Sequence, residues 1–107
     1  MKTEKNILIN QELKAEFTKV GQQEDLLDPM VIAKFFNPSG RQTWYAISYD
    51  ETDNICFGYV TGFDFDELGY FSIDELEALE VPPFGLRIEC DFTFTPCPLS
   101  KIKGMSS

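Results

Sequence analysis

Histidine is absent from this chain. Its absence removes the side chain most often used as a general base near neutral pH, the Ser–His and Cys–His nucleophile pairs, and the commonest transition-metal ligand. Cysteine is scarce and poorly spaced. Cys56, Cys90 and Cys97 are odd in number and contain no Cys-x-x-Cys, which argues against a disulfide framework and against a zinc site. A Cys90–Cys97 pair remains an alternative, but reduced thiols packed as small hydrophobes are the simpler expectation. Long apolar runs are missing: none approaches the roughly 20 residues that span a bilayer. Ile7-Leu8-Ile9 is too short for a secretory core, so a cytoplasmic protein away from membranes is expected. The glycines show neither G-x-G-x-x-G nor P-loop spacing, and no cofactor is expected.

Positive charge is also short, with nine Lys and Arg against 18 Asp and Glu, a net charge of −9. The imbalance is local. Residues 1–49 carry six acids and six bases, whereas residues 50–91 carry twelve acids against Arg87 alone, a local net of −11. Lys101 and Lys103 return two charges in the tail. Such a segment repels phosphates, so direct nucleic-acid binding is disfavoured. It would attract a basic partner and speed the encounter.

What is present suits one small domain. Of 107 residues, 43% are hydrophobic, and ten Phe, four Tyr and one Trp can fill an interior. Residues 10–20, NQELKAEFTKV, predict an amphipathic helix with Asn10 as N-cap, Leu13, Phe17 and Val20 on one face, and Gly21 as the stop. Three runs, MVIAKFF, RQTWYAISY and ICFGYV, predict strands. Their short connections, NPSG and DETDN, favour an antiparallel meander. Gly58 within the third predicts a bulge or a close packing contact. Residues 61–69 read as a turning loop, Ser72-Ile-Asp-Glu75 as a capping box opening a helix over 73–80, and Leu86–Phe94 as a last strand. The expected fold is α+β: an antiparallel sheet of about four strands, an N-terminal helix, and a short helix before the last strand. Residues 1–100 form the domain and 101–107 a flexible tail.

Two kinds of site are conceivable. Asp64, Asp66 and Glu67 could serve as an acid–base couple, or hold an imported cation in a small-ligand enzyme. A working pair needs burial to raise one pKa, and acids in a loop are ordinarily solvated. DETDN resembles a calcium loop in its oxygens but lacks the central glycine and twelfth-position glutamate of an EF-hand. Cys56 in an apolar strand and Cys90 between Glu89 and Asp91 are poor thiolates. The alternative to catalysis is docking, with Asp64, Asp66, Glu67 and Tyr70 as a patch. Trp44 could act as an anchor if it, rather than Tyr45, faces outward.

The motifs TW at 43–44, CFGYVTG at 56–62, DELGYFSIDELEAL at 66–79 and GLRIECDFTFTPCPLS at 85–100 together resemble a family of small bacterial proteins described as a domain of unknown function, DUF2958. The resemblance covers roughly residues 25–100, and the Glu-Leu-Gly-Tyr block is its most distinctive part. It implies a setting on plasmids, conjugative elements and other mobile DNA, and an accessory factor rather than a metabolic enzyme. Cys90 departs from the family pattern, which commonly has Arg between Glu and Asp. If that Arg neutralises an acidic face in relatives, the compensation is missing here.

The function expected from these residues is that of a non-catalytic acidic module that binds a basic protein surface. A sharper form has it antagonising a host nucleic-acid-binding defence protein. A cation-dependent enzyme and a subunit of a larger assembly are the competing classes.

Overall fold

The architecture is seen in a computed structural model, which describes residues 7–105. Helix α1 (Gln11–Val20) starts where Asn10 stays extended and its side chain accepts from the Leu13 N–H at 2.9 Å. It ends at Gly21, whose φ of 68° is costly for other residues and whose N–H donates to Phe17 O. Seven strands follow: β1 (Met30–Val31), β2 (Ala33–Phe36), β3 (Thr43–Asp50), β4 (Ile55–Thr61), β5 (Glu67–Ser72), β6 (Glu89–Cys90) and β7 (Cys97–Pro98). Helix α2 (Ile73–Ala78) leaves β5 directly, capped by Ser72, and α3 (Leu99–Met105) closes the described chain. The main sheet has five antiparallel strands in the order β5-β4-β3-β2-β6, and β1 pairs with β7 in a separate two-stranded ladder. No helix among the described residues is long and apolar enough to cross a membrane.

The expected meander is β2-β3-β4, and the α+β class and both predicted helices are present. Three expectations are corrected. The count of about four strands becomes five because Glu67–Ser72, expected as loop as far as Gly69 and not as a strand beyond it, pairs along its whole length with β4. The last strand shrinks to Glu89–Cys90, since the Asp91 carboxylate accepts from the Thr93 N–H (3.0 Å) and hydroxyl (2.6 Å) and turns the chain out of the sheet. Residues 101–105 of the expected tail belong to α3, where Leu99 and Ile102 are buried against Val31, Ile47 and Tyr59. Asp28 caps that helix from afar, accepting from the Ser100 N–H at 2.8 Å and hydroxyl at 2.7 Å. Residues 106–107 lie outside the described residues.

The sheet is covered on both faces. Phe17 of α1 and Ile73 and Leu76 of α2 pack with Phe35, Trp44, Ala46 and Cys56 on one side. On the other, α3 packs against Val31, Ile47 and Tyr59. Which residue points to which side is decided by β3. It carries one residue more than β4 between the pairs Ala46–Gly58 and Ser48–Phe57, a bulge at Ile47. Tyr45 and Ile47 face α3, yet Tyr49, two residues on, is returned to the α1 side, its ring centroid 5.6 Å from that of Phe17. Gln23, only 3% exposed, clasps the bulge. Its Nε2 donates to Ile47 O (2.9 Å) and Met30 O (3.0 Å), its Oε1 accepts from Met30 N (2.8 Å), and its own N–H donates to Ser48 Oγ (3.0 Å). Gly58 answers the bulge from β4: a Cβ there would lie 2.1 Å from the Tyr45 carbonyl oxygen, so the close approach requires glycine. Of the two features expected at Gly58, the close contact is found there, and the bulge lies on the partner strand opposite it.

The three cysteines are free thiols. Burial pushes the Cys56 thiol far up, and burial, with Asp91 beside it, pushes Cys90 up to about 11. Both folded values exceed the ordinary one, so the neutral thiols stabilise the fold at neutral pH, and for Cys90 that contribution is lost as pH rises through about 11.

Replacing Gln23 with Leu leaves the Ile47 and Met30 groups buried and unpaired. The expected loss is about 3 kcal/mol in urea unfolding, against less than about 0.5 kcal/mol for Gln22→Leu on the exposed neighbour. Equal midpoints for the two variants would show that the clasp contributes nothing. Alkylation of Cys90 at pH 8, followed by peptide mass spectrometry, is expected about a hundredfold slower in the folded protein than in urea, rising steeply toward pH 11. A rate independent of folding would contradict the buried, neutral thiol.

Candidate functional site

The polar and aromatic groups of the Phe63–Tyr70 stretch owe their placement to β4 and β5. Gly62, at φ 91°, turns the chain off β4 under the Arg41 carbonyl, where a Cβ would stand 2.3 Å from that oxygen. The loop that follows cannot bury its rings, since the α1/α2 side is already filled by Trp44 and its neighbours. Phe63 therefore rests edge-on against Trp44, ring centroids 5.9 Å apart at 69°, and stays half exposed. Phe65 is 76% exposed. Asp66 turns back and accepts weakly from the Gly62 N–H at 3.4 Å.

From Glu67 the chain becomes the outer strand. Leu68 and Tyr70 face the same side as Tyr59 and Phe57, their β4 partners, and Tyr70 is 66% exposed. Its ring lies 5.2 Å from that of Phe57, and its hydroxyl donates to Glu24 Oε2 at 3.4 Å.

The site residues expected from sequence divide accordingly. Asp64, Asp66, Glu67 and Tyr70 are all exposed along one loop and strand. Trp44 is not among them at the surface. It is 6% exposed in the core, and Tyr45 is partly covered on the other face, so Trp44 braces Phe63 instead of anchoring a partner. Asp64 and Glu67 form no hydrogen bond or ion pair through their side chains among the described residues. The pairs Lys14–Glu51 (3.3 Å), Lys34–Asp91 and Arg87–Glu80 (both 3.8 Å) engage acids elsewhere. Nor do the three acids converge: the described residues contain no group of three or more Cys, Asp or Glu side chains placed to hold a metal ion. Asp50, in the loop once compared with calcium ligands, instead accepts from the Thr52 N–H at 3.0 Å in an ordinary turn.

Sequence reasoning missed Phe63, Phe65 and Leu68 as surface residues. Phe63 and Phe65 alternate with Asp64 and Asp66, a pattern that shows one apolar and one acidic side even in a loop, whereas nothing in the sequence marks Leu68 as exposed. The arrangement presents carboxylates and rings side by side, which suits contact with cationic, partly apolar groups.

A family model described as "Protein of unknown function (DUF2958)" matches residues 6–103. No curated protein and no solved structure matches the chain. The match spans nearly the whole sequence, including α1, every strand of the sheet and the acidic edge, and the chain belongs to the DUF2958 family.

Proposed function

We propose that this protein is a non-catalytic acidic module that docks on a basic protein site. It serves mobile genetic elements in the bacterial cytoplasm, and its target is a host nucleic-acid-binding defence protein. The carrying observation is the stretch from Asp64 to Glu67, set among the exposed rings of Phe63, Phe65 and Tyr70, where neither Asp64 nor Glu67 has an ion-pair partner among the described residues while Lys14, Lys34 and Arg87 pair with acids elsewhere. Spaced carboxylates occupy Arg and Lys clusters built for a phosphate backbone, because the same cations form charge-assisted hydrogen bonds to either. The rings supply apolar area at low entropic cost, Phe63 being held in advance by Trp44. The mobile-element setting comes from the family resemblance. No observation favours the cation-dependent enzyme, since Asp64, Asp66 and Glu67 are not grouped to hold a metal ion among the described residues.

Reversing the charge with Asp64→Lys, Asp66→Lys and Glu67→Lys together tests the docking. Capture of a basic partner from bacterial lysate on the immobilised protein is expected at low salt and to fade at high salt. The triple variant should bind the captured partner about tenfold more weakly, as three exposed charge contacts of about 0.5 kcal/mol each would give. Undiminished binding by the triple variant sinks the proposal.

A further inference from the structure

The outer strand β5 pairs with β4 only, at the end of the five-stranded order. Ile73 N donates to Asn54 O at 2.9 Å, one step beyond the Ser72–Ile55 pair. Antiparallel alternation then turns the ladder groups of Phe71, Gly69 and Glu67 toward β4, and those of Leu68 and Tyr70 away from it. No backbone hydrogen bond of Leu68 or Tyr70 to a loop or another element occurs among the described residues. Sheet edges are usually guarded by Lys, Pro, a bulge or brevity. This edge runs six residues in unbroken register and has no Lys and no Pro. Its guards are acids, Asp66 and Glu67 at one end and Asp74 and Glu75 just past the other.

We propose that the open edge of β5 takes up an extended basic segment of the partner as an added antiparallel strand. The inference rests on the docking function above and names its mode. Charge selects the occupant. Self-pairing in antiparallel sense about Tyr70 would bring Asp66 and Glu67 of one copy toward Asp74 and Glu75 of the other, in chains that each carry −9, so a second copy is repelled and a cationic strand attracted. Side chains refine the choice. One face of the added strand meets exposed Leu68 and Tyr70 and should be apolar. The other passes Glu67 and Gly69, and the space beside Gly69 is open, with nothing within 4 Å of where a Cβ would sit. A long basic side chain fits across that gap to reach Glu67. An alternating apolar–basic segment satisfies both faces at once.

A synthetic peptide alternating valine and lysine is the probe, compared with two N-methylated forms. In the antiparallel arrangement the valine nitrogens face β5 and the lysine nitrogens face solvent. Methylating the valine nitrogens should therefore weaken binding about tenfold or more, and methylating the lysine nitrogens should change it little. Hydrogen exchange of the Leu68 and Tyr70 amides should slow in the complex. Equal affinity of the two methylated peptides overturns the added strand, as does protection confined to other amides. If either occurs while partner capture still depends on Asp64, Asp66 and Glu67, the strand mode fails and the docking function stands. A self-associated protein with the Leu68 and Tyr70 amides protected, seen by light scattering and exchange without peptide, would make a second copy the occupant and overturn the basic one.

Discussion

The bulge at Ile47 and the Gln23 side chain that holds it determine how the layers meet. Side chains alternate strictly along a regular strand, so an unbulged β3 would send Tyr49 to the same face as Tyr45 and Ile47. The ring that meets Phe17 of α1 would then point at α3. One inserted residue resolves this, at the cost of a carbonyl without a ladder partner. Gln23 lies in the connection just after α1 and reaches Ile47 O, both backbone groups of Met30 and, through its own N–H, Ser48. The end of α1, the start of β1 and the kink in β3 are thereby fixed to one another. Gly58 takes the inner side of the same irregularity, and β4, followed by β5, extends from it. The exposed edge thus owes its position to a polar clasp about three strands into the fold, where an unmade hydrogen bond is costly.

Much of this fold is legible in the residues, and the parts that are not fail for identifiable reasons. Asn10, Gly21 and Ser72 declare helix ends through local hydrogen bonds, so α1 and α2 are readable without tertiary information. The three aromatic and β-branched runs declare β2, β3 and β4 through side chains that suit an extended, half-buried backbone. β5 is hidden because Glu67 and Gly69 are weak strand formers on their own. Only its pairing with β4, from Val60–Glu67 to Ile55–Ser72, makes the segment extended. α3 is hidden because LSKIKGM shows little apolar periodicity, and its burial of Leu99 and Ile102 depends on a cap from Asp28, 72 residues earlier. Gln23 reads as one polar residue in a polar connection. Its partners come from elements that meet only after folding. At the site, the acids and Tyr70 were readable, whereas the burial of Trp44 depends on which sheet face α1 and α2 cover, and the exposure of Phe65 on that face being already filled.

The acidic surplus also proves to be several things. Some carboxylates are structural. Asp28 caps α3, and its hydrogen bonds from Ser100 hold its carboxyl below the usual range; Asp91 is lowered by its hydrogen bond from Thr93 and by Lys34. Both contribute to the fold above the ordinary carboxylate range and lose that contribution as pH falls through it. Glu77 accepts from the buried Leu8 N–H at 3.0 Å, and Asp74 accepts from Asn54 at 2.8 Å. Asp64 and Glu67 have no such duty. A net charge counted along the sequence merges the two kinds, and only the second kind is available to a partner without cost to the fold.

An open edge and a surplus of like charge are usually separate liabilities, one inviting aggregation and the other destabilising the compact state. Placed together at β5 they offset each other. The unpaired backbone of Leu68 and Tyr70 would recruit any strand, but acids at both ends make the chain's own copies poor recruits. Lysines would guard the edge equally well against self-pairing, yet they would reject a basic segment and welcome acidic ones. The sign of the guarding charge therefore determines what may approach. The ring of Tyr70, tilted against Phe57 and hydrogen-bonded to Glu24, limits the approach to segments with an apolar face. Selectivity at such an edge needs no pocket, because the backbone supplies the attraction and the flanking side chains supply the refusal.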